Sequence, residues 1–206
     1  MIDCGNPPVV VGKQKINPVE FMYYLYMPIS MMGSTEIKIP KRLKFTTPIV
    51  IKVIQDCEWI SRYVYITVKS MFVDSACPGS RPGWHIDGFQ SQGDLNYIWY
   101  DANPTEFAVQ EFLDIPNDDQ ASMVEITRQI KSDLVVCYAK ETILRLDETV
   151  VHRASPDAKS CFRTFIKITI SDHRFTNKGN SKNYLLDYDW PTTQRKTNMR
   201  NLDHGQ

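Results

Sequence analysis

His85 and Asp87 stand two residues apart in the segment PGWHIDGF. On an extended chain, residues i and i+2 project to the same face, so this imidazole and this carboxylate can reach one metal ion. A second imidazole, His152, closes the apolar run TVVHRAS, 67 residues further on. Two neutral imidazoles and one carboxylate fill half of an octahedral ferrous ion and leave three adjacent positions open. Arg163, eleven residues after His152, opens the alternating run RTFIKITIS. A guanidinium there can hold a dicarboxylate through a two-pronged, charge-assisted hydrogen bond. The chemistry that these residue types support is binding of a divalent metal with exchangeable positions, next to a cation that takes an acid.

These side chains need rigid elements to hold them, and the chain reads as many short strands. RYVYITVKSMFVD (62–74) is the clearest of them, and RTFIKITIS (163–171) alternates cleanly. NYIWYD (96–101) reads as a strand that places Tyr97 and Trp99 on one face. EFAVQEF (106–112), LVVCYA (134–139), 142–146 and 149–151 are shorter apolar pieces separated by turns, and EIKI (36–39) alternates as a strand. The segment 77–83 is turn-rich. Two stretches, 48–60 and 122–132, fit helix or strand. Asn17-Pro18 has the form of a helix start, with Asn17 as cap, Pro18 at the first helical position and Pro28 as the stop. Closely spaced strands with helix mostly near the N-terminus predict a mainly β sandwich or barrel, of which a jelly roll is one solution.

The segments HIDGF, VVHRASP and RTFIKITIS resemble the three anchor segments of the Fe(II)- and 2-oxoglutarate-dependent dioxygenases. The resemblance spans about residues 62–171. It implies a double-stranded β-helix, a jelly roll, to which the helix start at Asn17-Pro18 adds one or more flanking N-terminal helices. It also implies His85, Asp87 and His152 as iron ligands and Arg163 as the partner of the far carboxylate of 2-oxoglutarate. Relatives line the cosubstrate pocket from the strand after the ligand pair, which here offers Tyr97 and Trp99. The family often carries a hydroxyl two residues after the arginine. Phe165 stands there in this chain, so Thr164, Ser155 or a tyrosine would have to supply it. Halogenating relatives have a small residue in place of the carboxylate, so Asp87 points to hydroxylation or a related oxidation.

Around these anchors, Trp84 and Phe89 could wall a pocket or simply fill the core, and Gln90, Gln92 and Asp94 are candidate substrate contacts. Arg153, next to His152, points to the opposite face if the strand continues, which leaves Arg163 as the better anion partner.

With 206 residues the chain is expected to form one domain over 1–206, with its core at about 62–171 and a polar extension at 172–206 whose last 15 residues or so are loosely held. Twenty-four basic and 24 acidic residues leave no net charge, which argues against bulk capture of nucleic acid, and a small-molecule substrate is expected. The charge is uneven. Residues 101–148 hold 11 acids against 4 bases, and 173–206 hold 6 bases against 3 acids. The basic tail (Arg195, Lys196, Arg200) keeps a nucleic acid or nucleotide open. No run of 18 apolar residues marks a membrane span. The start lacks a secretory signal, and five scattered cysteines without a paired motif suit a reducing, cytoplasmic compartment. Two rival readings stand beside the oxygenase. One is a cupin-like jelly roll that binds a metal or ligand without redox turnover. The other is a structural β-sandwich with no site.

Overall fold

A computed structural model describes residues 1–81, 83–87 and 93–194. Within them the chain is mainly β. Its strands are β1 (Val9–Lys13), β2 (Tyr23–Ser30), β3 (Tyr63–Val73), β4 (Leu95–Tyr100), β5 (Thr105–Ala108), β6 (Val135–Cys137), β7 (Thr142–Leu146), β8 (His152–Ala154) and β9 (Cys161–Ser171). Two α-helices join them, α1 (Thr47–Asp56) and α2 (Asp119–Gln129). No helix among the described residues is long and apolar enough to cross a membrane. All five cysteines are unpaired.

Six strands form one antiparallel sheet in the order β1-β7-β4-β9-β3-β2, and three form a second in the order β6-β5-β8. The spine of the large sheet is β3 against β9, paired without a break from Tyr63↔Ser171 to Val73↔Cys161. Both strands run for eleven residues and are buried over most of their length. Directly opposed residues share a face, so the register divides the side chains into two sets. Val64, Ile66, Val68, Ile166, Ile168 and Ile170 turn to one side, where they pack with Ile49, Val50 and Val53 of α1. Thr67, Lys69, Lys167 and Thr169 turn to the other, toward the small sheet. Between the sheets Ile98, Tyr100, Phe107, Leu144, Leu146 and Val150 form a second apolar cluster. A third lies behind the small sheet, where Trp84, Ile86, Phe112, Ile115 and Val151 pack on Ile126 of α2.

The helix expected from Asn17 does not form. Residues 14–20 carry no regular structure, and the aromatic run that follows is β2. Tyrosines suit a half-buried pleated surface, and pairing with β3 outweighs the local helix signals. Pro28 does not end the element. It lies inside β2, the edge strand of the large sheet, where a missing N–H is tolerated. The register slips beside it, and again between Tyr24 and Met27, around the positive φ of Tyr26.

The first α-helix is instead α1, which starts with Pro48 in its first turn. Residues 122–132 resolve mostly into α2, capped by the Asp118 carboxylate accepting from the N–H groups of Gln120 and Ala121 at 3.0 and 2.8 Å. EIKI is not a ladder strand, although Lys38 N–H donates to the Ile29 carbonyl at 2.8 Å. Residues 109–112 lie beyond β5, and 149–151 run irregularly into β8.

Most of the expected loose tail lies outside the described residues. The part of the extension up to 194 packs back on β2 and β3. Phe175 stacks on Tyr65 at 4.2 Å, and the Asn183 amide donates to the Pro28 and Lys38 carbonyls at 2.8 Å each.

Candidate metal centre

The segment at His85 joins the small sheet through a single bridge to β8. His85 N–H donates to the His152 carbonyl at 3.1 Å, and His152 N–H donates to the His85 carbonyl at 2.9 Å. The bridge sets the two rings side by side, centroids 4.4 Å apart. Asp87, two residues on, lies on the same face as His85, and its Oδ2 comes 3.9 Å from His152 Nε2. One ligand atom from each of His85, Asp87 and His152 lies within 4.8 Å of the others. Ligand bonds of roughly 2 Å put two donors on one ion at most about 4 Å apart, so a loaded site would be slightly tighter than this one.

Both rings are oriented by the main chain. His85 Nδ1 is 2.7 Å from the Gly83 carbonyl, and His152 Nδ1 is 3.0 Å from the Val150 carbonyl. A carbonyl only accepts, so each Nδ1 carries the proton and each neutral ring keeps its lone pair on Nε2. A metal-binding histidine commonly shows this arrangement, in which the second nitrogen is tied down. Burial, with the neighbouring His152, holds the His85 pKa well below its ordinary value. The ring is thereby kept in its neutral, ligating form. The donor set and its tautomers fit a divalent metal.

The triad borders a cavity of about 280 Å³ between the two sheets. Lys167 of β9 reaches across it, its Nζ 2.6 Å from Asp87 Oδ2. Toward the start of β9 the next residue on that face is Phe165, and beside it on β3 is Lys69. Lys69 Nζ donates to the Gly79 carbonyl at 2.6 Å. Burial, followed by the charges of Arg163 and Lys167, lowers its pKa to about 8. Arg163 is one step further along the same face, against Met71, and does not border the cavity. Its Nε donates to the Ala102 carbonyl at 2.9 Å, and its guanidinium lies 5.1 Å from the centre of the Phe165 ring. Burial lowers its pKa to about 10. Among the described residues no ion pair ends on Lys69 or Arg163.

Tyr97 and Trp99 do not line this cavity. They sit on the strand expected, but the register Asn96↔Thr169 and Ile98↔Lys167 turns the even positions of β4 toward the site. The odd positions face the α1 core, where the Tyr97 hydroxyl donates to Asp56 at 2.9 Å and the Trp99 indole donates to the Gln14 carbonyl at 2.8 Å. Asn96 and Ile98 are the lining residues. Both sets alternate, so pattern alone could not separate them. Thr164 likewise faces away, its hydroxyl 3.0 Å from that of Ser70, and Ser155 does not border the cavity, whereas Thr67, Thr169 and Tyr26 do.

Trp84 belongs to the α2-side core and carries the Arg153 guanidinium over its ring at 4.3 Å. Arg153 pairs with Glu106 at 2.8 Å and still reaches the cavity edge. Asp94 borders the cavity, with Oδ1 buried and without a hydrogen-bond partner among the described residues, and burial pushes its pKa up to about 6. Phe89, Gln90, Gln92, Arg195, Lys196 and Arg200 lie outside the described residues.

Sequence reasoning passed over Lys69 and Lys167. The signal was present, since each is a lysine flanked by apolar residues in a largely buried strand, on the face of Thr67 and Thr169. Compared with protein-family models, with curated proteins and with solved structures, the chain matches none.

Proposed function

We propose that this chain is a non-haem Fe(II) oxygenase that uses 2-oxoglutarate and O2 to hydroxylate, or otherwise oxidise, a small molecule on a double-stranded β-helix. One observation carries the reading. Two backbone-oriented imidazoles and one carboxylate converge at a cavity that Lys69 also lines, and Arg163 lies buried one step further along the same face; neither cation makes an ion pair among the described residues, the acid acting on Arg163 being Asp101.

The topology supports the fold part of this reading. From β3 the chain crosses to the His85 segment, returns to β4, crosses to β5 and β6, returns to β7, crosses to β8 and ends on β9. A jelly roll is built by such repeated crossing between two facing antiparallel sheets.

His85 Nε2, Asp87 and His152 Nε2 would hold the ferrous ion, which when bound supplies open positions for a 2-oxo acid and for O2. Lys69 and Arg163 place positive charge where the far carboxylate of the cosubstrate would end. Phe165 lies over the guanidinium of Arg163, a residue 3% exposed, and the low local dielectric would strengthen its hold on an anion. Lys69 takes the role expected of a hydroxyl near Arg163 and gives the cosubstrate end a second full charge. Asp94, Asn96 and Thr169 provide a hydrogen-bonding surface at the opposite end, where a substrate would lie.

Anaerobic titration of the protein with Fe(II) and 2-oxoglutarate tests the proposal. A weak visible charge-transfer band should appear with both present, and succinate should form once oxygen is admitted. Asp87→Ala should abolish the first by loss of metal, and Arg163→Ala should weaken it by loss of cosubstrate. Metal uptake without succinate, across a broad pool of metabolites, would leave a non-redox metal-binding jelly roll.

A further inference from the structure

The oxygen of Asp87 nearest to His152 Nε2 is also the oxygen held by Lys167. Oδ2 lies 3.9 Å from His152 Nε2 and 2.6 Å from Lys167 Nζ. A divalent ion bound by the triad and the Lys167 ammonium therefore compete for one carboxylate. Both side chains of the pair are almost buried, 15% and 14% exposed, so an ammonium separated from Asp87 is stabilised by whatever anion the cavity then offers it. Lys167 borders the cavity on the face that leads past Phe165 and Lys69 to Arg163. Two anions can meet it there: the Asp94 carboxylate, which already feels the Lys167 charge, and the acid head group of whatever chelates the metal, which arrives at the ion that displaced it.

We propose that Lys167 couples metal loading to anion loading: its ammonium is the counter-charge of Asp87 until a divalent ion takes that carboxylate, and it then pairs with the carboxylate of the incoming 2-oxo acid. This rests on the metal reading above and adds to it an order of events. Metal alone binds against a competitor, and metal with its chelating acid binds without one. By reciprocity, Lys167 strengthens binding of the acid to the metal-loaded protein while it weakens binding of the bare metal. Lys167 is thus a positioning residue for Asp87 and for the acid.

Binding measurements without turnover test this, with Mn(II) as the metal and oxalate as the acid. Oxalate keeps the chelating head and lacks the far carboxylate, so Lys69 and Arg163 do not enter. Mn(II) affinity is read from the resonance signal of the free ion, and oxalate affinity by calorimetry on the Mn(II)-loaded protein. Lys167→Gln should bind Mn(II) alone several-fold more tightly and should bind oxalate about tenfold more weakly. Lys167→Arg should follow the parent. If Lys167→Gln does not fold, Lys167→Met, which keeps the aliphatic stem, takes its place. A purely structural role for Lys167 would weaken both ligands together. Parallel weakening, or no change in either, overturns the coupling while leaving the metal site standing. No Mn(II) uptake by the parent overturns both.

Discussion

His85 and His152, 67 residues apart, are hydrogen-bonded to each other through both of their main-chain groups, at 3.1 and 2.9 Å. The side chains of the candidate site are thus held together by backbone, and the bridge does not need the rings. His85→Ala and His152→Ala should therefore keep the fold, read as an unchanged far-ultraviolet dichroism spectrum. Each should lower Mn(II) affinity at least about a hundredfold, since losing a ligand exceeds the roughly 10–100-fold effect of losing a ligand's hydrogen-bond partner. Metal affinity close to that of the parent in either variant would remove the triad as the site.

Lys69 and Arg163 should both govern 2-oxoglutarate affinity. Lys69→Met and Arg163→Gln are each expected to weaken its binding to the Mn(II)-loaded protein about tenfold or more, by calorimetry. The lysine adds a pH signature. Its pKa is lowered to about 8, so its charge is present below that value and lost above it. Affinity in the parent should fall as pH rises through about 8, and Lys69→Met should lack that fall. A flat profile in the parent would place the carboxylate elsewhere.

Asp94 is expected to reduce stability. Its pKa rises from 3.8 to about 6 because burial disfavours the carboxylate, so the folded chain binds this proton more tightly than the unfolded chain does. Its contribution is then least unfavourable below about pH 4 and becomes unfavourable as pH rises through 6. Asp94→Asn should stabilise the protein by about 2–3 kcal/mol at neutral pH and by little at pH 4, measured by urea unfolding. An equal effect at both pH values would refute the assignment. Metal affinity should be unchanged.

Tyr97 and Trp99 should matter for stability alone. Trp99 is fully buried among Ile166, Ile168 and α1, and Trp99→Ala should cost about 3–5 kcal/mol of folding stability. Tyr97→Phe removes a hydroxyl bonded to Asp56, which Arg145 also holds at 2.8 Å, and should cost about 1 kcal/mol. Both variants, at a temperature where they remain folded, should bind Mn(II) and 2-oxoglutarate as the parent does. A selective loss of 2-oxoglutarate binding would return these aromatics to the pocket.

The residue order alone was enough to mark His85, Asp87 and His152 as a group that can hold a metal, and to mark β3 and β9 as strands. Spacing of two residues means a shared face wherever the chain is extended, and runs of β-branched and aromatic residues, alternating with polar ones along FIKITIS, read as strand. It was also enough to see that the chain is mainly β, since β-branched and aromatic residues dominate its short apolar runs. Which face of β4 meets the cavity was decided by pairing with β9, because a shift of one residue exchanges the two faces of an alternating strand. The same pairing brought Lys69 beside Phe165 and set Lys167 against Asp87, the second pair 80 positions apart, contacts that no local pattern encodes. The aromatic run at Tyr23 became an edge strand because β3 was there to pair with it, a partner that lies 40 residues away in the chain.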